Sequence, residues 1–288
     1  MMRWLLHAAE KLMGRRRLWR LGRALYLQAR AGPPNDLRSN GERVVQQHIL
    51  SIYSSSSEKL VIFDVGANVG DWTISMLNLA SASGFSNIEI HAFEPVPSTF
   101  ALLSKRIAVH PLSGHVKLVQ AALSSLTGGG EMYVYSDCGE TNSLYYNPTQ
   151  ADHPKIARVV VEKKTIRDYC ANLDLGKIGL LKCDAEGHDM EILIGARELL
   201  ARERVTVFQF EYNEQWIYSR HFLKDVFDFV HALPYMLGKI TPTHIEFYDE
   251  WHPELERYFQ GNYVLMHRES LCRFAHKRVR LDKRNTYA

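Results

Sequence analysis

Cysteine is scarce in this 288-residue chain, and the four present share no spacing that would put them to use. Cys138, Cys170, Cys183 and Cys272 make neither a C-x-x-C nor a metal-ligand pattern. That excludes a zinc knuckle or a dithiol redox pair and fits a reducing, cytoplasmic setting. Thirteen histidines include no H-E-x-x-H pair, so zinc chemistry of that kind is excluded as well. No apolar run approaches the roughly 20 residues that a membrane-spanning helix requires. No small-residue cleavage site follows an apolar core near the start, which argues against a signal peptide. Internal repeats are absent.

What remains is an ordinary globular composition, 46% hydrophobic and 23% charged, long enough to bury a sizeable core. Charge is unevenly spread. Residues 1–30 carry eight Lys/Arg against Glu10 alone, a local +7, and residues 268–288 carry a local +5. With a total of +3, the remainder holds −9: an acidic body with two basic ends. This divides the chain into a basic helical extension, residues 1–54, and a main domain, residues 55–288.

Residues 2–29 read as helical, with Trp4, Leu5, Leu12, Leu18, Leu21 and Leu25 interleaved with arginines. Two readings stand. One is an interfacial helix in peripheral contact with anionic lipid, and the other is a helix packed on its own domain with a solvated basic face. A breaker at 31–35 and a second helix over 41–54 follow. From residue 60 the pattern alternates strand and helix, as in a parallel α/β sheet. Strands are expected near 60–65, 87–93, 116–120, 178–183 and 204–211, with helices near 71–80, 97–108 and 221–232. Gly128-Gly129-Gly130 reads as an interruption before short β runs near 131–135 and 158–163. Thr141–Pro148 reads as a loop over a site, and late strands fall near 244–248 and 262–266.

The chain is organised around Val61-Ile62-Phe63-Asp64-Val65-Gly66-Ala67-Asn68-Val69-Gly70-Asp71-Trp72. A short apolar run leads into a glycine turn and then a helix, with Trp72, Met76 and Leu79 on one face. A dinucleotide site wants G-x-G-x-x-G, but here Asn68 and Asp71 replace two of the three glycines. Asp64 and Asp71 then bracket the turn with negative charge, which disfavours phosphate. Glu94, 24 residues beyond Gly70, stands where a strand-end carboxylate accepts two ribose hydroxyls. A nucleoside with a cationic tail and no phosphate is S-adenosylmethionine.

A second strand, Ile178–Cys183, runs straight into Asp184-Ala185-Glu186-Gly187-His188-Asp189, and the next apolar strand ends at Glu211. Four apolar strands ending in acids point to one rim of one sheet. Methyl transfer to a hydroxyl needs alignment, worth effective molarities of about 10⁵–10⁸ M, and removal of a proton, worth about 10²–10⁴-fold. Asp184, Glu186, His188 and Glu211 are the candidate bases. Alternatively, Glu186, Asp189 and Glu191 merely favour a helix N-terminus, or Asp184, Glu186 and Glu211 hold a divalent cation through oxygen. Tyr133, Tyr135, Tyr145, Tyr146, Tyr212 and Trp216 offer a platform for a sugar ring, if they are not core.

Asp64–Trp72, Phe93-Glu94-Pro95, Leu181–Gly187 and Gly195-Ala196, with Ser39-Asn40-Gly41-Glu42 upstream, together resemble the FkbM family of S-adenosylmethionine-dependent methyltransferases. The resemblance covers roughly residues 40–215. It implies the class I methyltransferase fold, a Rossmann-like, mostly parallel sheet with helices on both faces. It also implies O-methylation of a sugar, glycan or polyketide-type hydroxyl. By the same resemblance Asp64, Gly66, Asn68 and Gly70 line the methionine end, Glu94 holds the ribose, and Ala121 and Ala122 lie near adenine. The acid-Pro-Pro-aromatic strand end of enzymes that methylate planar amino groups is missing. The basic ends suggest a rival, an RNA-modifying enzyme, but the −9 body and the lack of an RNA-binding motif argue against nucleic acid. A cofactor-binding protein without catalysis is the other alternative.

Overall fold

The computed structural model describes residues 2–30, 32, 36–136, 139, 141–150, 156–171, 173 and 175–283. Of the breaker at 31–35 only Gly32 falls within them, and Cys138 lies outside. The expected N-terminal helix is two helices, α1 (Met2–Met13) and α2 (Arg15–Ala29), parted at Gly14. Gly14 adopts φ 80°, a backbone region that a side chain disfavours, and this ends the first helix.

Beyond α3 (Glu42–Ser54) the chain runs β1 (Leu60–Val65), α4 (Asp71–Ala82), β2 (Ile88–Phe93), α5 (Pro97–Ala108), β3 (Val116–Val119), β4 (Ala122–Leu123) and β5 (Gly128–Val134). It continues through β6 (Ala157–Lys164), α6 (Ile166–Cys170), β7 (Ile178–Cys183), α7 (Asp189–Gly195), α8 (Arg197–Ala201) and β8 (Val205–Tyr212). The last part comprises α9 (Trp216–Ser219), α10 (Leu223–Val230), β9 (Tyr235–Ile240), β10 (Ile245–Tyr248), β11 (Gly261–His267) and β12 (His276–Val279).

Nine strands form one sheet in the order β12-β10-β9-β11-β8-β7-β1-β2-β3. The five strands from β8 to β3 are parallel; β11 then runs antiparallel to β8, and β9 to β11. Strand order reverses between β1 and β7, so the crevice beyond their carboxyl ends is the switch point where such sheets bind ligands. Alternation along each strand sorts the core into two faces. Val61, Phe63, Leu181, Phe208 and Leu265 pack with α7 and α10, while Leu60, Ile62, Leu180, Val207 and Val264 pack with α3, α4 and α5. Helices cover both faces, as expected of this fold, and α3 shares the core of the sheet through Val45, Ile49 and Tyr53.

A second sheet, β4-β6-β5, stands apart from the first. Here the triple glycine is no interruption: Gly128, Gly129 and Gly130 pair with Lys163, Glu162 and Val161. The outer strand takes them because its ladder is made by backbone groups alone, and nothing lies within 4 Å of where Cβ atoms of Gly128 or Gly129 would stand.

Candidate active site

At the end of β1 the chain turns sharply at Gly66 (φ 72°), and a Cβ there would come within 1.9 Å of the Asp184 carbonyl oxygen. Only glycine lets the β1 and β7 ends meet so closely. Gly70, at φ 90°, starts α4 and packs against Leu103, not a ligand space. Asp64 is fully buried, and its Oδ2 accepts a 2.5 Å hydrogen bond from Thr73 Oγ1. Lys182 Nζ lies 3.1 Å from its other oxygen, donates to Gly66 O at 3.1 Å, and stands 3.7 Å from Asp184 Oδ2.

Lys182 changes the expected electrostatics. Burial by itself would push its pKa down, but Asp64, Asp184 and Glu42 outweigh burial and raise it, so the ammonium stays charged. Asp64 is thereby neutralised as a pair. Asp71 turns outward to Arg106 at 2.6 Å. The two acids expected to bracket the turn with free negative charge do not do so. Beneath them Glu42 accepts from Asn40 Nδ2 at 2.6 Å, Gln209 Nε2 at 2.6 Å and Asn262 Nδ2 at 3.1 Å. Its burial raises its pKa.

Glu94, at the end of β2, receives the backbone N–H of Val96 at 2.9 Å on one oxygen and that of Asn68 at 3.1 Å on the other. Burial raises its pKa to about 7 against the pull of those two donors. Each oxygen retains a lone pair for a ligand hydroxyl.

Across the crevice Asp184, Glu186 and Glu211 converge, one carboxylate oxygen of each lying within 4.8 Å of the others. Glu186 occupies the left-handed region (φ 50°), which costs energy for a side-chain residue and is common at functional sites. Ser143 Oγ donates to its carbonyl at 2.7 Å, tying the 141–148 loop to the crevice. Glu211 is buried and accepts from Asn213 Nδ2 at 2.6 Å and Gln260 Nε2 at 2.8 Å. Burial, then Asp184 and Glu186, raise its pKa well above the carboxylate range. His188 is buried with both ring nitrogens engaged, Nδ1 at 3.1 Å from Tyr145 Oη and Nε2 at 3.0 Å from Ser124 Oγ. Burial lowers its pKa to about 4, so the ring is neutral.

These groups line one cavity of about 680 Å³. Gly66, Asn68, Glu94, Ala121, Asp184, Glu186, His188 and Glu211 are on its wall, whereas Asp64 and Gly70 stand behind it. None of the six aromatic residues expected as a platform lines the cavity. Tyr135, Tyr212 and Trp216 are core. Leu144, Met132 and Asn142 take that wall instead, joined by Arg38 and Asn40 from the segment before α3 and by Glu42, its first residue. Three buried polar atoms of lining residues have no hydrogen-bond partner among the described residues: Asn68 Oδ1, Trp72 Nε1 and Thr99 Oγ1. Such atoms suit a polar ligand that would satisfy them. Lys182 went unforeseen although it carried a signal, a lone cation inside an otherwise apolar buried strand.

This sheet, wound about a glycine turn and a strand-end acid, is the class I methyltransferase fold. A family model described as the methyltransferase FkbM domain matches residues 64–257, and the chain belongs to that family. The 31-O-demethyl-FK506 methyltransferase FkbM of Streptomyces tacrolimicus is 28% identical over 164 residues, 48% of this chain and 60% of its own length. Methyltransferase sdnD of Sordaria araneosa is 26% identical over 181 residues, 54% of this chain and 68% of its own. The chain thus spans 60%, less than two thirds, of the Streptomyces relative. Among solved structures, methyltransferase FkbM from Methylobacillus flagellatus KT superposes with a TM-score of 0.45 at 14% identity, over 76% of this chain and 47% of that one.

Proposed function

We propose that the protein is an S-adenosylmethionine-dependent O-methyltransferase acting on a hydroxyl of a sugar, glycan or polyketide-type small molecule. The observation that carries this reading is one cavity with two unlike walls, a glycine turn with Glu94 on one side and Asp184, Glu186 and Glu211 on the other. The donor, when bound, supplies a methyl group on a sulfonium. Glu94, already oriented by the amides of Asn68 and Val96, receives the ribose hydroxyls. The turn at Gly66 leaves room for the methionine end, and Lys182 keeps its backbone in place from behind.

The acceptor hydroxyl must lose its proton as the new C–O bond forms. His188 is poorly suited to take it, because hydroxyl partners occupy both nitrogens and burial lowers its basicity. Burial, with Asp184 and Glu186 close by, raises the pKa of Glu211 and disfavours its charged form, so it is less suited than they are to take up a proton. Asp184 and Glu186, both partly exposed to the cavity, are the proton acceptors this reading favours. The name of the Streptomyces relative, which acts on an oxygen of FK506, supports a hydroxyl acceptor. The oxygen-rich trio also has the chemistry to hold a hard cation.

The test is calorimetric titration with S-adenosylmethionine beside NAD, with Glu94→Gln, at a residue of the cavity wall, as control, followed by a screen of hydroxylated acceptors for S-adenosylhomocysteine release. Binding of S-adenosylmethionine alone, weakened about tenfold in the control, is expected. An NAD signal, or no turnover on any acceptor despite tight binding, sinks the proposal.

A further inference from the structure

The two N-terminal helices lack what surface helices normally have, a partner for their apolar side. No residue of α2 is buried. Trp4 is 73% exposed, Leu12 91%, Trp19 74% and Leu25 62%. At 100° per residue, Leu5, Ala8 and Leu12 fall on one side of α1, and Leu18, Leu21 and Leu25 on one side of α2. Arg16, Arg20 and Arg23 take the opposite side of α2 with Trp19 at its edge, and Arg17 flanks the leucines. A helix packed along its own domain would hide the first set, and this one does not. Among the described residues, its polar and ring contacts with the body lie at its end: Tyr26 donates to Glu254, Arg23 lies 5.2 Å over the Phe259 ring, and Lys239 Nζ donates to Arg30 O at 2.7 Å.

We propose that α1 and α2 form an arm that lies in the surface of an anionic lipid bilayer. The occupant is argued from charge and geometry. Residues 1–30 carry +7 while the rest of the chain before residue 268 carries −9, so the arm is drawn to a negatively charged surface that repels the body. Exposed tryptophans and leucines beside arginines match the boundary between acyl chains and headgroups. No helix among the described residues is long and apolar enough to cross a membrane, so the arm lies on the bilayer. Its docked end leads to the cavity. Phe259, under Arg23 and Tyr26, precedes Gln260, which lines the cavity and donates to Glu211. Asp36 and Arg38, just beyond the arm, line it too. The arm therefore sets the cavity close to the lipid surface; that the acceptor is itself an amphiphile rests on the methyltransferase reading.

The test is flotation of the full chain with vesicles of phosphatidylcholine alone and of phosphatidylcholine with phosphatidylglycerol, at low and high salt. Circular dichroism checks that each variant is folded. Binding to the anionic vesicles at least about tenfold tighter, weakened by salt, is expected. Trp4→Ser/Trp19→Ser and, separately, Arg15→Gln/Arg16→Gln/Arg17→Gln each reduce it about tenfold or more. Brominated acyl chains quench the wild-type fluorescence and leave the tryptophan double variant unquenched. Absent or charge-indifferent vesicle binding overturns the proposal. So does self-association abolished by the tryptophan changes, which would make the face a dimer contact, or tight binding of mixed tRNA that needs the arginines and not the tryptophans. None of these readouts requires turnover, so the arm and the methyltransferase reading fail separately.

Discussion

Replacing Lys182 by methionine keeps most of the side-chain volume and removes the charge that Asp64 faces in the core. At an effective dielectric near 20, charges 3.1 Å apart attract by about 5 kcal/mol. Asp64 is fully buried and retains only Thr73 once the ammonium is gone. Breaking such a pair costs about 3–5 kcal/mol, a large part of the ~5–15 kcal/mol that holds a domain together. Urea unfolding followed by tryptophan fluorescence measures the loss. Lys182→Met/Asp64→Asn, which removes both charges, is expected to recover about 2 kcal/mol or more over the single variant. A single-variant cost below about 1 kcal/mol, or a double variant no more stable than the single, refutes the argument.

Gly66→Ala, whose Cβ meets the Asp184 carbonyl oxygen at 1.9 Å, destabilises by about 2 kcal/mol or more in thermal melts, while Gly129→Ala, with open space around it, stays within about 0.5 kcal/mol. Glu94→Gln lowers S-adenosylmethionine affinity by about tenfold or more in calorimetry. Because the wild-type carboxyl titrates near pH 7, wild-type affinity falls as pH drops from 8 to 6, and the variant flattens that slope. Of Asp184→Asn and Glu186→Gln, at least one reduces kcat by about 10²–10⁴ in single-turnover assays, with donor affinity retained. His188→Gln costs about 1–2 kcal/mol of stability through its bonds to Ser124 and Tyr145 and leaves the pH–rate profile in place.

The β1 turn and the β7 and β8 ends are legible in sequence because a buried parallel strand is a continuous apolar run, and a polar residue at its end has nowhere to go but the rim. Lys182 is harder to read, since its role depends on Asp64, 118 positions away, and only the register of β1 against β7 joins them. β9 hides its strand character behind Gly238, a position where a Cβ would strike Ile245 Cγ2 at 2.6 Å. β12 hides its own behind His276, Lys277 and Arg278 on an exposed edge. The aromatic platform fails for a related reason: tyrosine serves a core and a binding surface equally well. Composition does not distinguish Tyr212, stacked on Tyr258 in the interior, from Tyr146 at the surface.

The small sheet β4-β6-β5 has a nucleus of its own, in which Met132, Val134 and Val161 close on Val96. Leu144, packed against that nucleus, and Met132 also face the cavity opposite the glycine turn. The enclosure is thus assembled from two foundations, the nine-stranded sheet beneath the glycine turn and the small sheet beneath Leu144 and Met132. Residues of the second can drift in size and shape without disturbing the fit of the first. Under the proposed reading, a scaffold divided in this way would let a lineage exchange one acceptor for another while its donor chemistry stays constant, and a directed-evolution library confined to 128–148 would inherit the same freedom.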